Sequence, residues 1–285
     1  MCEGSQNHDV CGKSQWGNEY LPRVAKRTRL DKFLTDRGFF QSRTVAARAI
    51  RAGQVKLGKD GPIALRPSQD VPPDQEIEVL EAQRYVSRGG IKLANALDLL
   101  ELDVTGLNCL DVGASTGGFT DCLLQRGAAH VISLDVAYGQ IDDTMRHHER
   151  VTVIERLNAR DLIPADLDYQ PDLAVIDVSF ISLTKVLEPV VAATAPDARI
   201  LAMVKPQFEL GRTRVGRGGV VRKPEDRLEA VTGVADFARE LGLSLLGVAP
   251  TGLPGPKGNL ETFLCLGRSG AGAASGAALC EGVDL

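Results

Sequence analysis

The sequence predicts an α/β fold: a mostly parallel sheet wound with helices on both faces, preceded by a small α+β unit. Three observations carry that prediction. From residue 108 onward seven apolar runs recur, NCLDVGA, HVISLDVA, VTVIERL, LAVIDVSF, ARILAMVK, LSLLGVA and ETFLCLG, with helical stretches between most of them. Near-continuous apolar strands alternating with helices mark a sheet covered on both faces. Only a loop separates the last two runs, which predicts that the final strand runs antiparallel. Ahead of this region, residues 23–66 hold 12 Lys and Arg against 3 Asp and Glu, a net of +9 that leaves −13 on the rest of the chain. That shift in composition separates a first unit from the wound sheet.

The bulk numbers agree. A chain of 285 residues, 44% hydrophobic and 25% charged, has room for more than one core. No apolar run approaches the ~18 residues that span a bilayer. The start, MCEGSQNHDV, lacks the pattern of a secretory signal, so a cytoplasmic location away from membranes is expected. Cysteines stand at 2, 11, 109, 122, 265 and 280 with no C-x-x-C pair, and Cys109 and Cys265 fall in strand-like runs, as reduced core thiols do.

Residues 1–27 are polar and aperiodic and are expected to form a flexible tail. Residues 28–82 form the first unit. In RLDKFLTDRG, Leu30, Phe33 and Leu34 share a helical face, with Gly38 as the stop. Ser42 is placed to cap a second helix, SRTVAARAIRAG, which ends at Gly53. QVKLGKDG then reads as a strand and turn, and EIEVLEA as a second strand. Residues 83–88, QRYVSR, read as a short joint. In GGIKLANALDLLEL, Leu93, Leu97 and Leu100 form one stripe of an amphipathic helix. The wound sheet takes 89–268, and the Gly/Ala/Ser-rich residues 269–285 are expected to form a second flexible tail.

A compact basic block on an acidic chain is a footprint for a polyanion. The string R-L-D-x-x-L…S-R-x-x-A-x-x-x-I-x-x-G-x-V resembles the RNA-binding domain of the small-subunit ribosomal protein S-four. That resemblance implies contact with structured RNA through phosphates and shape. Arg29, Arg43, Arg48, Arg51 and Lys56 are the RNA-binding candidates in this unit, joined by Arg88 from the joint.

The first sheet strand ends in Asp111-Val112-Gly113-Ala114-Ser115-Thr116-Gly117-Gly118-Phe119-Thr120. Glycines at a strand-to-helix turn let a ligand approach the backbone. Ser115 stands where a dinucleotide fingerprint needs its middle glycine. An acidic residue opens the motif instead, which suits the ammonium and sulfonium of S-adenosylmethionine better than a pyrophosphate. Asp135 ends the second strand, 24 residues on, placed to accept from ribose hydroxyls. Asn158, Ala159 and Arg160 follow the third strand at the same edge and could read an adenine. Asp111, Gly113, Ser115, Thr116, Gly117, Gly118, Phe119, Asp135, Asn158, Ala159 and Arg160 are therefore the cofactor candidates.

Four charged residues converge on that edge. Asp177 ends the fourth strand and Lys205 the fifth. Glu261 begins the last strand, whose start lies at the same edge if it runs antiparallel. Lys92 lies near the start of the helix before the first strand, just after Gly89-Gly90. Phe180 and Phe208 follow the two strand ends and could either stack on a base or pack in the core. The glycine-rich stretch from Gly211 to Arg222 carries four arginines, Arg212, Arg214, Arg217 and Arg222, and is expected to order over RNA.

With these motifs in place, residues 84–266 resemble the FtsJ-type 2′-O-ribose methyltransferases. The span 28–266, over four fifths of the chain, resembles the TlyA rRNA methyltransferases, once also labelled hemolysins. The carrying motifs are SRGGIKL, LDVGASTGGFTD, VIDVSFISL, MVKPQFE with GRGGVVR, and GNLETFL. The resemblance implies a Rossmann-like class I methyltransferase sheet of seven strands, the last antiparallel. It also implies S-adenosylmethionine as methyl donor, a Lys-Asp-Lys-Glu tetrad at Lys92, Asp177, Lys205 and Glu261, and methylation of a cytidine ribose in ribosomal RNA, inside a ribosomal subunit.

The chemistry is consistent. A ribose hydroxyl is a poor nucleophile until its proton leaves, and Lys205 is the expected base. A second cation and desolvation under RNA favour its neutral amine; the two carboxylates oppose this, so their expected work is orientation. Placement alone can supply ~7–11 kcal/mol. No metal is expected, because the departing thioether is neutral. A pseudouridine synthase can carry the same first unit but lacks the alternating strands and cofactor turn. A non-catalytic rRNA-binding or assembly factor need not keep four charges at one edge. A membrane-lytic protein would need a spanning segment or another route to the bilayer.

Overall fold

A computed structural model describes residues 27–51, 53–80, 84–211, 214–216 and 218–268. The expected tails, apart from Arg27, lie outside the described residues. The chain divides into two compact units, Met1–Glu81 and Ala82–Leu285.

In the first unit, α1 (Leu30–Asp36) and α2 (Arg43–Arg51) pack on one another. They bury Leu30, Phe33 and Leu34 against Ala46, Ala49 and Ile50, the stripe expected from helical spacing. Ser42 Oγ accepts the Val45 backbone N–H at 3.3 Å, as a helix cap does. Four two-residue strands complete the unit. β1 (Thr28–Arg29) pairs antiparallel with β3 (Asp70–Val71), and β2 (Val55–Lys56) pairs antiparallel with β4 (Glu78–Val79). The expected strand segments hold β2 and β4. β1 and β3 are too short to leave a periodic trace.

The second unit opens with α3 (Arg88–Leu99) and the strands β5 (Asn108–Val112), β6 (His130–Asp135), β7 (Val151–Glu155), β8 (Leu173–Ile176), β9 (Arg199–Val204), β10 (Ser244–Pro250) and β11 (Thr262–Gly267). They form one seven-stranded sheet in the order β10-β11-β9-β8-β5-β6-β7. β5 to β9 run parallel, and β11 runs antiparallel to both β9 and β10. The strand order reverses between β5 and β8, and ligands of such sheets sit beyond the carboxyl ends at that crevice. The chain between β7 and β8 holds two short 3₁₀ turns, Ala159–Asp161 and Pro164–Asp166, in place of a crossover helix. Pro164 starts the second turn, and Pro171 follows before β8.

Alternation along the strands splits the core into two layers. Two short helices, α5 (Asp143–Arg146) and α7 (Pro206–Glu209), follow β6 and β9. Ala174, Ile176, Ile200, Ala202 and Val204 face α6 (Leu187–Ala193) and α8 (Pro224–Glu240). Leu173, Val175, Leu201, Met203, Phe263 and Cys265 face α3 and α4 (Gly118–Gln125). Cys109, Cys122 and Cys265 are buried free thiols, as core cysteines of the expected kind are. Residues 84–88, expected as a joint, belong to the second unit's packing. Tyr85 is buried in the α3–α4 layer, the Val86 N–H donates to Asp121 Oδ2 at 2.8 Å, and Gln125 Nε2 donates to the Arg84 carbonyl at 2.8 Å. Hydrophilic spelling concealed one buried aromatic.

Phe263 is fully buried, with its ring 5.7 Å from that of Phe119. Phe263→Ala should cost roughly 3–5 kcal/mol in urea denaturation, while Leu99→Ala, at a position 61% exposed, should stay within about 0.5 kcal/mol.

Candidate functional site

The turn between β5 and α4 is shaped by close approaches that only glycine permits. Gly113 has φ 87°, and a Cβ there would lie 2.5 Å from the Asp177 carbonyl oxygen. A Cβ on Gly118 would lie 2.1 Å from Ser87 Oγ and 3.0 Å from the Gly90 nitrogen. The turn therefore nests against the end of β8 on one side and the start of α3 on the other.

Asp111 is fully buried beneath this turn. Its Oδ2 accepts from the Thr120 backbone N–H at 2.9 Å and from Thr120 Oγ1 at 2.7 Å, while Oδ1 has no hydrogen-bond partner among the described residues. Burial pushes this carboxyl up to about 7; the Thr120 hydroxyl opposes the shift, and the charges of Asp177 and Asp135 add to it. An orphaned carboxylate oxygen under the turn fits a ligand that brings positive charge.

Asp135 ends β6 with both oxygens engaged. Oδ2 accepts the Ser115 N–H and Oδ1 the Ala137 N–H, each at 2.7 Å. A carboxylate has lone pairs for further donors, so hydroxyl contacts stay open to it. Ser115 holds a left-handed φ of 49°, and it is this conformation that brings its N–H onto Asp135. Thr116 is exposed, and its carbonyl accepts the Asp142 N–H at 3.1 Å. Gly117 supplies a left-handed N-cap to α4 at φ 90°. Asn158 Oδ1 accepts the Arg160 N–H at 3.2 Å, Ala159 is buried, and exposed Arg160 pairs with Asp161 at 3.4 Å. Phe119 corrects the sequence reading: at 3% exposure it packs against Phe263 and belongs to the core. Its sequence place in the turn did not reveal which face of α4 it occupies.

Strand alternation gathers the four charged candidates on one face. Asp177, Lys205 and Glu261 continue the series Leu173–Val175, Leu201–Met203 and Cys265–Phe263, all of which face α3. Thr262 pairs with Val204 in antiparallel register, so Glu261 stands opposite Lys205. Lys92 arrives from the buried side of α3. Two ion pairs result, Lys92 Nζ with Glu261 Oε2 and Lys205 Nζ with Asp177 Oδ1. Lys205 Nζ also donates to Ser179 Oγ at 2.8 Å. Lys92, Lys205 and Glu261 are 7%, 9% and 3% exposed, whereas the Asp177 side chain keeps 26%. The more open pair is thus the one beside the β5–α4 turn, since Asp177 directly follows β8 and its carbonyl lies against Gly113.

Next to it, Phe180 is 91% exposed at a left-handed φ of 64°, its ring 5.2 Å from that of Phe208. Core packing, one of the two sequence readings, does not hold for Phe180.

The RNA-binding candidates divide. Arg48 and Arg51 are exposed and form no ion pair among the described residues. Arg29 and Arg43 both pair with Asp31. Lys56 pairs with Glu78 at 3.4 Å, and exposed Arg88 donates to the Pro254 carbonyl at 3.0 Å. Arg214 is anchored to α8 through Asp226 at 2.7 Å and Glu229 at 2.6 Å, which ties down part of a stretch expected to order over RNA. Arg222 is exposed; Arg212 and Arg217 lie outside the described residues.

Two residues escaped the sequence reading. Ser179 holds the Lys205 amine. Asn259, 2% exposed, clips the glycine-rich stretch beside the start of β11: its Oδ1 accepts the Val221 N–H and its Nδ2 donates to the Gly219 carbonyl, both at 2.8 Å. Both stand inside motifs quoted above, yet a neutral side chain in a turn carries no signal of its partner.

Comparison with known proteins followed the geometry. The model of the FtsJ-like methyltransferase family matches residues 85–268, and that of the S4 domain matches residues 28–77. A Mycobacterium tuberculosis protein, 16S/23S rRNA (cytidine-2′-O)-methyltransferase TlyA, is 47% identical over 85% of this chain and 91% of its own length. Hemolysin A of Brachyspira hyodysenteriae is 35% identical over 82% of this chain and 97% of its own. The solved structure of a hemolysin-like protein from Streptococcus thermophilus superposes with a TM-score of 0.66 at 36% identity, covering 85% of this chain and 89% of that one.

Asp111 gives a pH test. Its ordinary value is 3.8 and its folded value about 7, so between these the native state keeps a proton that the unfolded state has lost. Asp111 therefore stabilises the fold below about pH 4, and this contribution is lost as pH rises through 7. Asp111→Asn should abolish a fall in stability of the order of 4 kcal/mol across that window. Denaturation of both proteins at a series of pH values checks it; parallel curves would contradict it.

Proposed function

The chain belongs to the FtsJ-like methyltransferase family, among the TlyA rRNA methyltransferases, and from that premise we propose that it methylates the 2′-hydroxyl of a cytidine in ribosomal RNA with S-adenosylmethionine. The observation that carries this reading is the pair of buried lysine–carboxylate contacts at the rim formed by β8, β9 and β11, beside the β5–α4 turn.

S-adenosylmethionine, when bound, supplies a sulfonium methyl group as the electrophile. Asp111, Asp135, the backbone of 113–117 and Asn158 are the groups that would hold it. The remaining chemistry falls to the chain. Lys205, as the neutral amine, takes the proton of the 2′-hydroxyl, and the ammonium that results pairs with Asp177. Asp177 and Ser179 aim its Nζ, and Asp177, the least buried of the four charged residues, can also accept from the sugar. Lys92 lies on the same rim, where its positive charge favours the alkoxide. Glu261 balances that charge while the site is empty of substrate and keeps Lys92 from turning away. The stacked pair Phe180 and Phe208 offers a face to a base. Arg29, Arg43, Arg48 and Arg51 supply phosphate contacts from the first unit, and the substrate is rRNA within a ribosomal subunit in the cytoplasm.

Lys205→Ala should lower methyl transfer by ~10²-fold or more, the size of a general-base contribution, while rRNA binding persists. Transfer at the wild-type rate would remove Lys205 from the chemistry. Phe180→Gly should leave stability unchanged or raise it, because the left-handed backbone is strained for phenylalanine. The same variant should weaken methylation roughly 5- to 100-fold if the ring stacks on a base. Unchanged methylation would assign the ring no such role.

A further inference from the structure

Asp31 is an acidic residue at the centre of a basic unit. It is buried at 5% exposure near the start of α1, and two arginines converge on it. Arg29 donates through Nε to Oδ1 at 3.2 Å and through Nη2 to Oδ2 at 2.7 Å. Arg43 Nη2 reaches the same two oxygens at 3.4 and 3.3 Å, and the Lys32 N–H donates to Oδ1 at 2.7 Å. The Arg29 and Arg43 side chains nonetheless stay 49% and 55% exposed. The Arg29 hydrogen bonds hold the Asp31 carboxyl at about 2 despite opposition from burial, so it is ionised at any working pH.

We propose that Asp31 is a positioning residue that fixes Arg29 and Arg43 side by side as one phosphodiester-binding notch. The inference rests on the reading that this unit binds rRNA. A guanidinium has five N–H donors, and those not spent on Asp31 remain for a phosphate. A free arginine samples many rotamers and loses that freedom on binding RNA. Pinning two of them beforehand removes most of that cost. Arg48 and Arg51 have no such support among the described residues and act as free charges.

The proposal and simple charge counting predict opposite signs. Asp31→Asn raises the local charge by one, so counterion release alone would tighten binding. Loss of positioning weakens it. The test uses the full chain, purified 16S and 23S rRNA, and filter binding across a potassium chloride series. Asp31→Asn should bind roughly fivefold to tenfold more weakly, and the slope of log K against log salt should shrink by about one as a phosphate contact is lost. Equal or tighter binding overturns the proposal. So does weaker binding with an unchanged slope, which is the mark of a partly unfolded population.

If Asp31→Asn melts below the assay temperature, Arg43→Lys serves instead. It keeps the charge at a half-exposed position but loses the fork that reaches both oxygens. Weaker binding with a smaller slope supports the proposal, and unchanged binding overturns it. Arg29→Ala and Arg43→Ala separate the premise from the inference. If both bind like wild type, the RNA reading of this unit falls and takes the notch with it. If both weaken binding while Asp31→Asn tightens it, the inference alone falls.

Discussion

Two lysine side chains at the rim of the sheet have been taken almost entirely out of water, each against a carboxylate. An unpaired buried charge costs several kcal/mol, so each lysine needs a carboxylate in contact. The sheet meets that demand through its own periodicity. Asp177, Lys205 and Glu261 each continue a series of residues that face α3, and the antiparallel β11 brings its first residue back to the edge where β8 and β9 end. Reversing β11, or shifting its register by one residue, would send Glu261 to the wrong edge or the wrong face. The orientation of one strand thus governs whether Lys92 has a partner.

The same rim borders the β5–α4 turn, where the lack of side chains at Gly113 and Gly118 lets the backbone close against β8 and α3. That nesting places Asp111, Asp135 and Asp177 within electrostatic reach of one another, and Asp111 absorbs the repulsion because burial already disfavours its charge. A cationic ligand at the turn relieves that repulsion. Carboxylates gathered this closely suit a sulfonium and an ammonium.

Much of this was legible in the sequence, for physical reasons. The sheet strands are long enough and apolar enough to announce themselves, and a charged residue at the end of an apolar run is placed by the fold at the carboxyl edge. Lys205 and Asp177 were readable on that ground, and Glu261 once the last strand was read as antiparallel. What was lost depends on partners distant in the chain. Arg214 reads as an RNA contact, and its partners Asp226 and Glu229 on α8 lie 12 and 15 residues on. Phe119 looked ligand-facing until α4 turned it toward Phe263. Ser179 acts through one side-chain hydrogen bond to Lys205 and Asn259 through two to the glycine-rich stretch, which no composition or period reports. β1 and β3 span two residues each, below the length at which alternation exists.

Under the proposed function, this rim activates a sugar hydroxyl rather than a base nitrogen or carbon. The direct measurement is to incubate ribosomal subunits that carry unmodified rRNA with the chain and a methyl donor labelled on its transferable carbon, extract the RNA, digest it to nucleosides and identify the labelled one by mass spectrometry. Label in 2′-O-methylcytidine is the expected result. Label on a nucleobase, or none in the RNA, would contradict the account.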